Sequence, residues 1–302
     1  LTSLDVSANI ALYTLNCGDN LLTSLDVRNG NNDNFTVFDA VPNPNLTCIS
    51  VDDALWSTTN WTVGNGFDID PASSFAINCS PEDGYTHVPD GNFEQELIDL
   101  GYDNFLDTYV FTDSINTLDN LNVSNLNIAD LTGIEDFVAL TYLNCWGNQL
   151  TSLDISQNTA LTYLDCIDNQ LTSLDVSQNT ALIYLHCNNN LLTSLDVSNN
   201  AALTELYCGS NQLASFDVSQ NTNLTMLACE NNNLTFFDLR NGNNMNFLFL
   251  SAGANPNLTC ISVDDALWST TNWTVGSGNI DPASSFAINC SPEAGYTFVP
   301  DD

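Results

Sequence analysis

Cysteine recurs at Cys145, Cys166, Cys187, Cys208 and Cys229, one every 21 residues. Asparagine follows three positions later each time, at Asn148, Asn169, Asn190, Asn211 and Asn232. Aspartate keeps the same step at Asp154, Asp175, Asp196, Asp217 and Asp238. A fixed period with leucine at constant offsets confines the chain to a solenoid. One coil cannot bury its apolar face alone, whereas stacked coils share a continuous core. Such a fold displays long surfaces and rarely encloses a reaction centre, so the expected role is structural or adhesive.

Each coil reads as two short strands, LTYLDC at 161–166 and LTSLDV at 171–176. Strand alternation sends Leu164 and Cys166 inward and Asp165 outward, then Leu174 and Val176 inward and Asp175 outward. Asn169 falls at the bend between them, where its amide can satisfy backbone groups of adjacent turns. Ser177 and Asn179 mark the second bend. Stacking predicts two parallel sheets.

A larger repeat contains the smaller one. NPNLTCISVDDALWSTTNWT at 43–62 recurs unchanged at 255–274, and DPASSFAINCSPE at 70–82 recurs at 281–293, giving a unit of about 211 residues. The organisation predicted is a run of coils and a C-terminal cap of one module at 1–82 and a linker at 83–88. The next module has an N-terminal cap at 89–136, coils at 137–254 and a C-terminal cap at 255–293, and a further linker begins at 294–302. The chain starts within a coil and ends on TFVPDD, which matches THVPDG at 86–91, so it reads as a window on a longer tandem array.

Charge removes several function classes. The chain has no lysine, two arginines (Arg28 and Arg240) and 37 acidic residues, a net charge of −35. Nucleic-acid backbones need cationic side chains to displace counterions, so no nucleic-acid partner is expected. Anionic membrane surfaces are disfavoured, and no stretch is long and apolar enough for direct insertion. Catalysis has little to work with. Histidine occurs only at His87 and His186, no lysine can form a Schiff base, and no nucleophile motif surrounds either histidine.

The coil pattern L-x-x-L-x-C-x-x-N-x-L-x-x-L-D-V-S-x-N resembles the 21-residue bacterial leucine-rich repeat, as found in surface and secreted proteins of Bacteroidota. VPDGNFEQELIDLGYDN at 88–104 resembles the N-terminal cap of those proteins, and NPNLTCISVDD with its following NWT and cysteine resembles their C-terminal cap. The resemblance implies a leucine-rich repeat solenoid, mainly β, with a small helical N-terminal cap and a closed C-terminal cap in each module. It also implies an extracellular or cell-surface location, and it names no ligand. Asp90 suits the helix N-cap and Gly101 its stop. Cys48 with Cys79, and Cys260 with Cys290, are proposed as disulfides closing the C-terminal caps around Trp56/Trp61 and Trp268/Trp273. The alternative is that Cys48 and Cys260 continue the buried cysteine column.

Candidate site residues fall on the coils. Outward positions of the first strand vary (Asn144, Asp165, His186, Tyr207, Ala228), and Tyr142, Tyr163, Tyr184 and Trp146 run beside them. Tyr142, Trp146, Tyr163, Asp165, Tyr184, His186 and Tyr207 are therefore candidates for holding a glycan or a protein, against the reading that the rings only cover the solenoid flank. Asp154, Asp175, Asp196 and Asp217 could share calcium between coils, although nearby hydroxyl and backbone donors offer the simpler partners. No cofactor is required. Glycosylation candidates are Asn34, Asn45, Asn60, Asn78, Asn122, Asn223, Asn233, Asn257, Asn272 and Asn289, each in an N-x-S/T triplet, and Ser114, which sits in a D-S-I sequence like the O-glycosylation site of Bacteroidota. The leading expectation is a non-enzymatic rod or surface fibre whose partners are copies of itself, assembled head to tail. The alternative is an adhesin or receptor using the tyrosine-bearing face.

Overall fold

The computed structural model describes residues 1–61, 67–71, 73–77, 79 and 84–290; Asn78 and the segment 294–302 lie outside the described residues. The chain divides into two compact units, Leu1–Tyr85 and Thr86–Asp302, and the division falls inside the predicted 83–88 linker.

In the second unit seven three-residue strands form one parallel sheet. In order they are Asn120–Asn122, Tyr142–Asn144, Tyr163–Asp165, Tyr184–His186, Glu205–Tyr207, Met226–Ala228 and Phe249–Ser251. Leu143, Leu164, Leu185, Leu206 and Leu227 are direct cross-strand neighbours, so the period of the sequence becomes the register of the sheet. Those leucines and Cys145, Cys166, Cys187, Cys208 and Cys229 are all fully buried. The first strand, Asn120–Asn122, already pairs with Tyr142–Asn144, so the ladder begins within the stretch 89–136 read from sequence as cap.

Side-chain amides stitch the bend behind this sheet. Asn190 donates through Nδ2 to the carbonyls of Cys166 (2.9 Å) and Cys187 (3.1 Å) and accepts from the Leu171 amide (3.0 Å). Asn169 and Asn211 repeat the arrangement one coil away on either side. These backbone groups are buried and have no water to turn to, so one asparagine per coil is a structural requirement. A second column, Asn158, Asn179, Asn200 and Asn221, is fully buried at the other bend. Its Nδ2 groups bridge coils, as from Asn200 to the carbonyls of Val176 (3.0 Å) and Asn179 (2.9 Å).

The second predicted sheet is not continuous. The segments around Leu153, Leu174 and Leu195 are not strands. Among the described residues of the second unit this sheet forms only near the C-terminal closure, from Ser215–Asp217, Phe236–Asp238, Cys260–Ser262 and Ser285–Ala287. Among the earlier coils the second asparagine column supplies inter-coil bonds on this side. Near the closure the ladder runs from Ser215–Asp217 through Phe236–Asp238 to the strand that carries Cys260.

Both disulfides are present, Cys48–Cys79 and Cys260–Cys290. Cys260–Cys290 closes a segment holding the helix Ala266–Asn272, whose first turn is capped by the Asp265 carboxylate accepting from the Trp268 amide at 2.9 Å. Trp273 is buried against Phe247, Trp268 and Phe286 at ring separations of 5.6, 5.3 and 5.7 Å. The first unit repeats this closure with the helix Ala54–Asn60 and Trp61 packed on Phe35, Phe38 and Phe75.

Ahead of the ladder lies the helix Gly91–Asp99, which sends Phe93 and Leu97 into the core. Asp90 accepts from the Asn92 and Phe93 amides at its N-terminus, and its other oxygen accepts from Ala129 (2.7 Å) and Asp130 (3.1 Å), tying the helix to the loop before the coils. Gly101 follows with φ +83°, a left-handed stop. Gly133 is required for a different reason: a Cβ there would come within 2.7 Å of the His87 carbonyl oxygen.

Candidate functional site

Strand alternation places the leucine of each Y-L-x triplet in the core and both neighbours on the outer face of the seven-stranded sheet. Parallel in-step pairing then lines up equivalent side chains from coil to coil. Tyr142 and Tyr163 stack at 4.4 Å with an interplanar angle of 12°, and Tyr163 reaches Tyr184 at 5.9 Å. His186 joins the column, 5.6 Å from Tyr163 and stacked on Tyr207 at 4.7 Å. Tyr207 meets Phe249 edge-on at 6.4 Å. Six of the candidate rings and carboxylates thus occupy one surface: Tyr142, Tyr163, Asp165, Tyr184, His186 and Tyr207.

Trp146 lies two residues past the strand end and is 40% exposed, as is Tyr184. Its indole N–H donates to Asp168 Oδ2 at 2.8 Å, and the other oxygen of Asp168 accepts from Asn189 Nδ2 at 2.7 Å. His186 Nε2 lies 3.0 Å from Glu205 Oε1. Asp165 accepts from the Ile167 amide, and burial raises its carboxyl above the usual carboxylate range. Burial also pushes the Tyr163 and Tyr207 hydroxyls up to about 12, with neighbouring carboxylates acting in the same direction. The phenols therefore remain protonated donors at neutral pH.

Sequence reasoning missed Asp168, Glu205 and Glu230. Asp168 belongs to the turn position occupied by Gly147 one coil earlier, and it adopts φ +52°. A non-glycine residue there carries a backbone penalty of about 1 kcal/mol, a signal that only the dihedral angle reveals. Glu205 stands where the preceding three coils place tyrosine, so the departure from the column was readable from the period.

The aspartate column stands on another face. Asp154, Asp175, Asp196 and Asp217 are exposed, and each accepts from the serine amide two residues on at 2.8–3.0 Å. Those bonds hold Asp154, Asp175 and Asp196 below the usual aspartate value. Among the described residues no group of three or more His, Cys, Asp or Glu side chains forms a metal-binding arrangement. Asp238 departs from the expected outward column: it is 6% exposed and paired with Arg240. Arg28 makes the equivalent pair with Asp26 in the first unit.

The six free cysteines are buried. Burial drives the Cys187 thiol up to about 12 and raises Cys145, Cys166, Cys208 and Cys229 in the same way, so the column is held as unreactive thiols. Of the glycosylation candidates, Asn34, Asn45, Asn60, Asn122, Asn223, Asn233, Asn257, Asn272 and Asn289 are exposed, and Ser114 is half-buried in the short helix Thr112–Ile115. Among the described residues no helix is long and apolar enough to cross a membrane.

A segment of 121 residues is 41% identical to internalin J of Listeria monocytogenes, covering 39% of this chain and 13% of that relative. The match and the in-register leucine column support a leucine-rich repeat solenoid, and the chain spans about an eighth of that relative's length. Among solved structures, the internalin J functional domain from Listeria monocytogenes, described as including a cysteine ladder, superposes with a TM-score of 0.45 at 31% identity over 61% of this chain and 53% of that one. A leucine-rich repeat protein of Leptospira interrogans gives 0.42 at 20% identity over 58% and 55%. No protein-family model matches the chain.

Proposed function

We propose that this leucine-rich repeat chain is a non-catalytic, extracellular recognition module that holds a macromolecular partner along the outer face of its seven-stranded sheet. One observation carries the reading: Tyr142, Tyr163, Tyr184, His186 and Tyr207 run as a ring column over four successive strands of an otherwise uniform scaffold. Large rings with polar edges anchor interfaces at low entropic cost. The two disulfides suit an oxidising compartment, and the identity with internalin J points toward surface adhesion. Neither histidine supports a reaction. His186 is engaged with Glu205, and the His87 ring packs 5.1 Å from Tyr109.

Binding to intact cells or to arrayed extracellular proteins and glycans tests the proposal. Y184A and W146A should weaken binding at least about tenfold, as loss of an aromatic anchor does. Q157A and Q178A, exposed near the aspartate column, should leave it unchanged. Equal effects from both pairs would sink the assignment of the face.

A second reading, a rod or fibre of tandem modules, draws its support from the unchanged recurrence of residues 43–62 at 255–274. Repeated caps of one sequence suit repeated contacts between modules. Electron microscopy of natively isolated protein tests it. Ordered filaments with one module per axial repeat are expected under this reading, and isolated or randomly jointed particles would remove it.

A further inference from the structure

The chemistry of the ring column narrows the partner, given the recognition face proposed above. Tyr142 and Tyr163 lie 4.4 Å apart at 12°, and His186 and Tyr207 lie 4.7 Å apart at 10°. Rings stacked this closely cover one another's faces and turn their edges outward. A sugar stacks on an aromatic face, so most of this column is closed to it. What the surface offers instead is phenolic oxygens and carboxylates.

The carboxylates are numerous and uncompensated by permanent cations. Asp165 and Glu205 project from the strands, and Asp168 and Glu230 stand just beyond strand ends. Glu230 follows Met226–Ala228, the sixth of the seven strands, and its carboxyl leans on the preceding coil, where a Cβ on Gly209 would come within 2.6 Å of its Oε1. One oxygen of Glu230 is buried without a hydrogen-bond partner among the described residues. The second unit's sole arginine, Arg240, is committed to Asp238 and to the Ile288 carbonyl. No lysine exists anywhere in the chain.

We propose that the outer face of the seven-stranded sheet binds a basic protein segment, with Arg or Lys side chains seated along the outward ring edges and against Asp165, Asp168, Glu205 and Glu230. Guanidinium groups match this surface twice over. They pair with carboxylates through charge-assisted hydrogen bonds, and they pack on aromatic rings, for which Trp146 and Tyr184, each 40% exposed, are the accessible partners. The strands are in register about 4.8 Å apart, so Glu205 lies two coils beyond Asp165 and Asp168, and Glu230 one coil further. An extended basic segment laid across the strands meets these carboxylates in turn.

A chain with a charge of −35 attracts any cation, so the test must separate site from coat. The probe is a fluorescent Arg/Gly/Ser peptide with a Glu/Gly/Ser peptide as its control, at physiological ionic strength and in chelator. Two triple variants of the full chain change the net charge equally: D165N/E205Q/E230Q on the ladder face, and D154N/D175N/D196N on the other. The first should weaken basic-peptide binding at least about tenfold and the second less than twofold. Should the ladder-face triple variant melt early, single E205Q and E230Q variants carry the same test at about threefold each. Equal losses from the two triple variants would overturn the proposal, leaving only a diffuse acidic coat. Neutral oligosaccharides that bind, with loss in Y184A and W146A, would overturn the basic-partner inference and keep the recognition face. Failure of every probe and of cell binding would remove both.

Discussion

One asparagine at each bend of a coil holds adjacent turns together, and the two amide atoms have separate roles. Asn190 uses both: Nδ2 serves two buried carbonyls and Oδ1 serves the Leu171 amide. Asn200, in the second column, uses Nδ2 only, and its Oδ1 has no partner among the described residues. Truncation to alanine strands four backbone groups at the first site, the Asn188 carbonyl among them, and two at the second. We expect N190A to lower unfolding free energy by about 2–4 kcal/mol and N200A by about 1 kcal/mol less. Urea unfolding of both variants decides this, and a larger loss for N200A would refute the division of labour. The first column's role was legible in the sequence because a polar residue recurring beside a buried cysteine must meet backbone. The orphaned Oδ1 atoms were not, since they depend on how closely the neighbouring turn approaches.

At the scale of elements, the first sheet and the second differ in origin. The first is built by the coils themselves, with bonds such as Cys166 N to His186 O and Cys187 N to Tyr207 O, both 2.8 Å. The second reaches inward from the disulfide-closed segment, through Val263 N to Ala287 O (2.9 Å), Leu239 N to Ser262 O (2.8 Å) and Val218 N to Asp238 O (3.0 Å). Reducing Cys260–Cys290 should cost about 3–4 kcal/mol locally, from the loop it closes. Hydrogen exchange should then quicken at Val218, Leu239 and Val263, while Cys166 and Cys187 keep their protection. Uniform loss of protection along the ladder would show that the closure supports the whole solenoid instead. The sequence pattern LTSLDV implied a strand in every coil; it could not reveal that only those from Ser215 onward in the second unit pair as strands.

For the whole molecule, charge governs the pH response. Burial raises the carboxyls of Glu94, Asp103, Asp107 and Asp165 above the usual range. Between the ordinary carboxylate values and these raised ones the folded chain binds more protons than the unfolded chain, so stability rises as pH falls through that window. Hydrogen bonds from serines lower Asp154, Asp175 and Asp196, and those from Arg240 lower Asp238. The stability those groups contribute is present above the ordinary aspartate value and is lost as pH falls through their depressed values. Relief of self-repulsion at a charge of −35 adds to the first trend. Tm at constant ionic strength should therefore pass through a maximum on the acid side of neutrality, near the upper edge of the carboxylate range. A steady fall from neutral pH downward would refute this. Calcium should raise Tm no more than other divalent salts at equal ionic strength, because the Asp154–Asp217 column already accepts from backbone amides. A selective, chelator-reversible rise would restore a bridging ion between coils.

The amino-acid sequence by itself determined the period, the inward leucine and cysteine columns, the asparagine bends, the cysteines of the closing segments and the absence of cationic surface. Each follows from local alternation or from counting, which need no knowledge of neighbouring coils. Tertiary structure alone decided what lies beside what. It stacked Tyr142 on Tyr163 and His186 on Tyr207, brought Asp168 to Trp146, withdrew Asp238 from the outward column and confined the second sheet to the closed end. Those outcomes turn on register and coil spacing, which arise only when the coils have stacked.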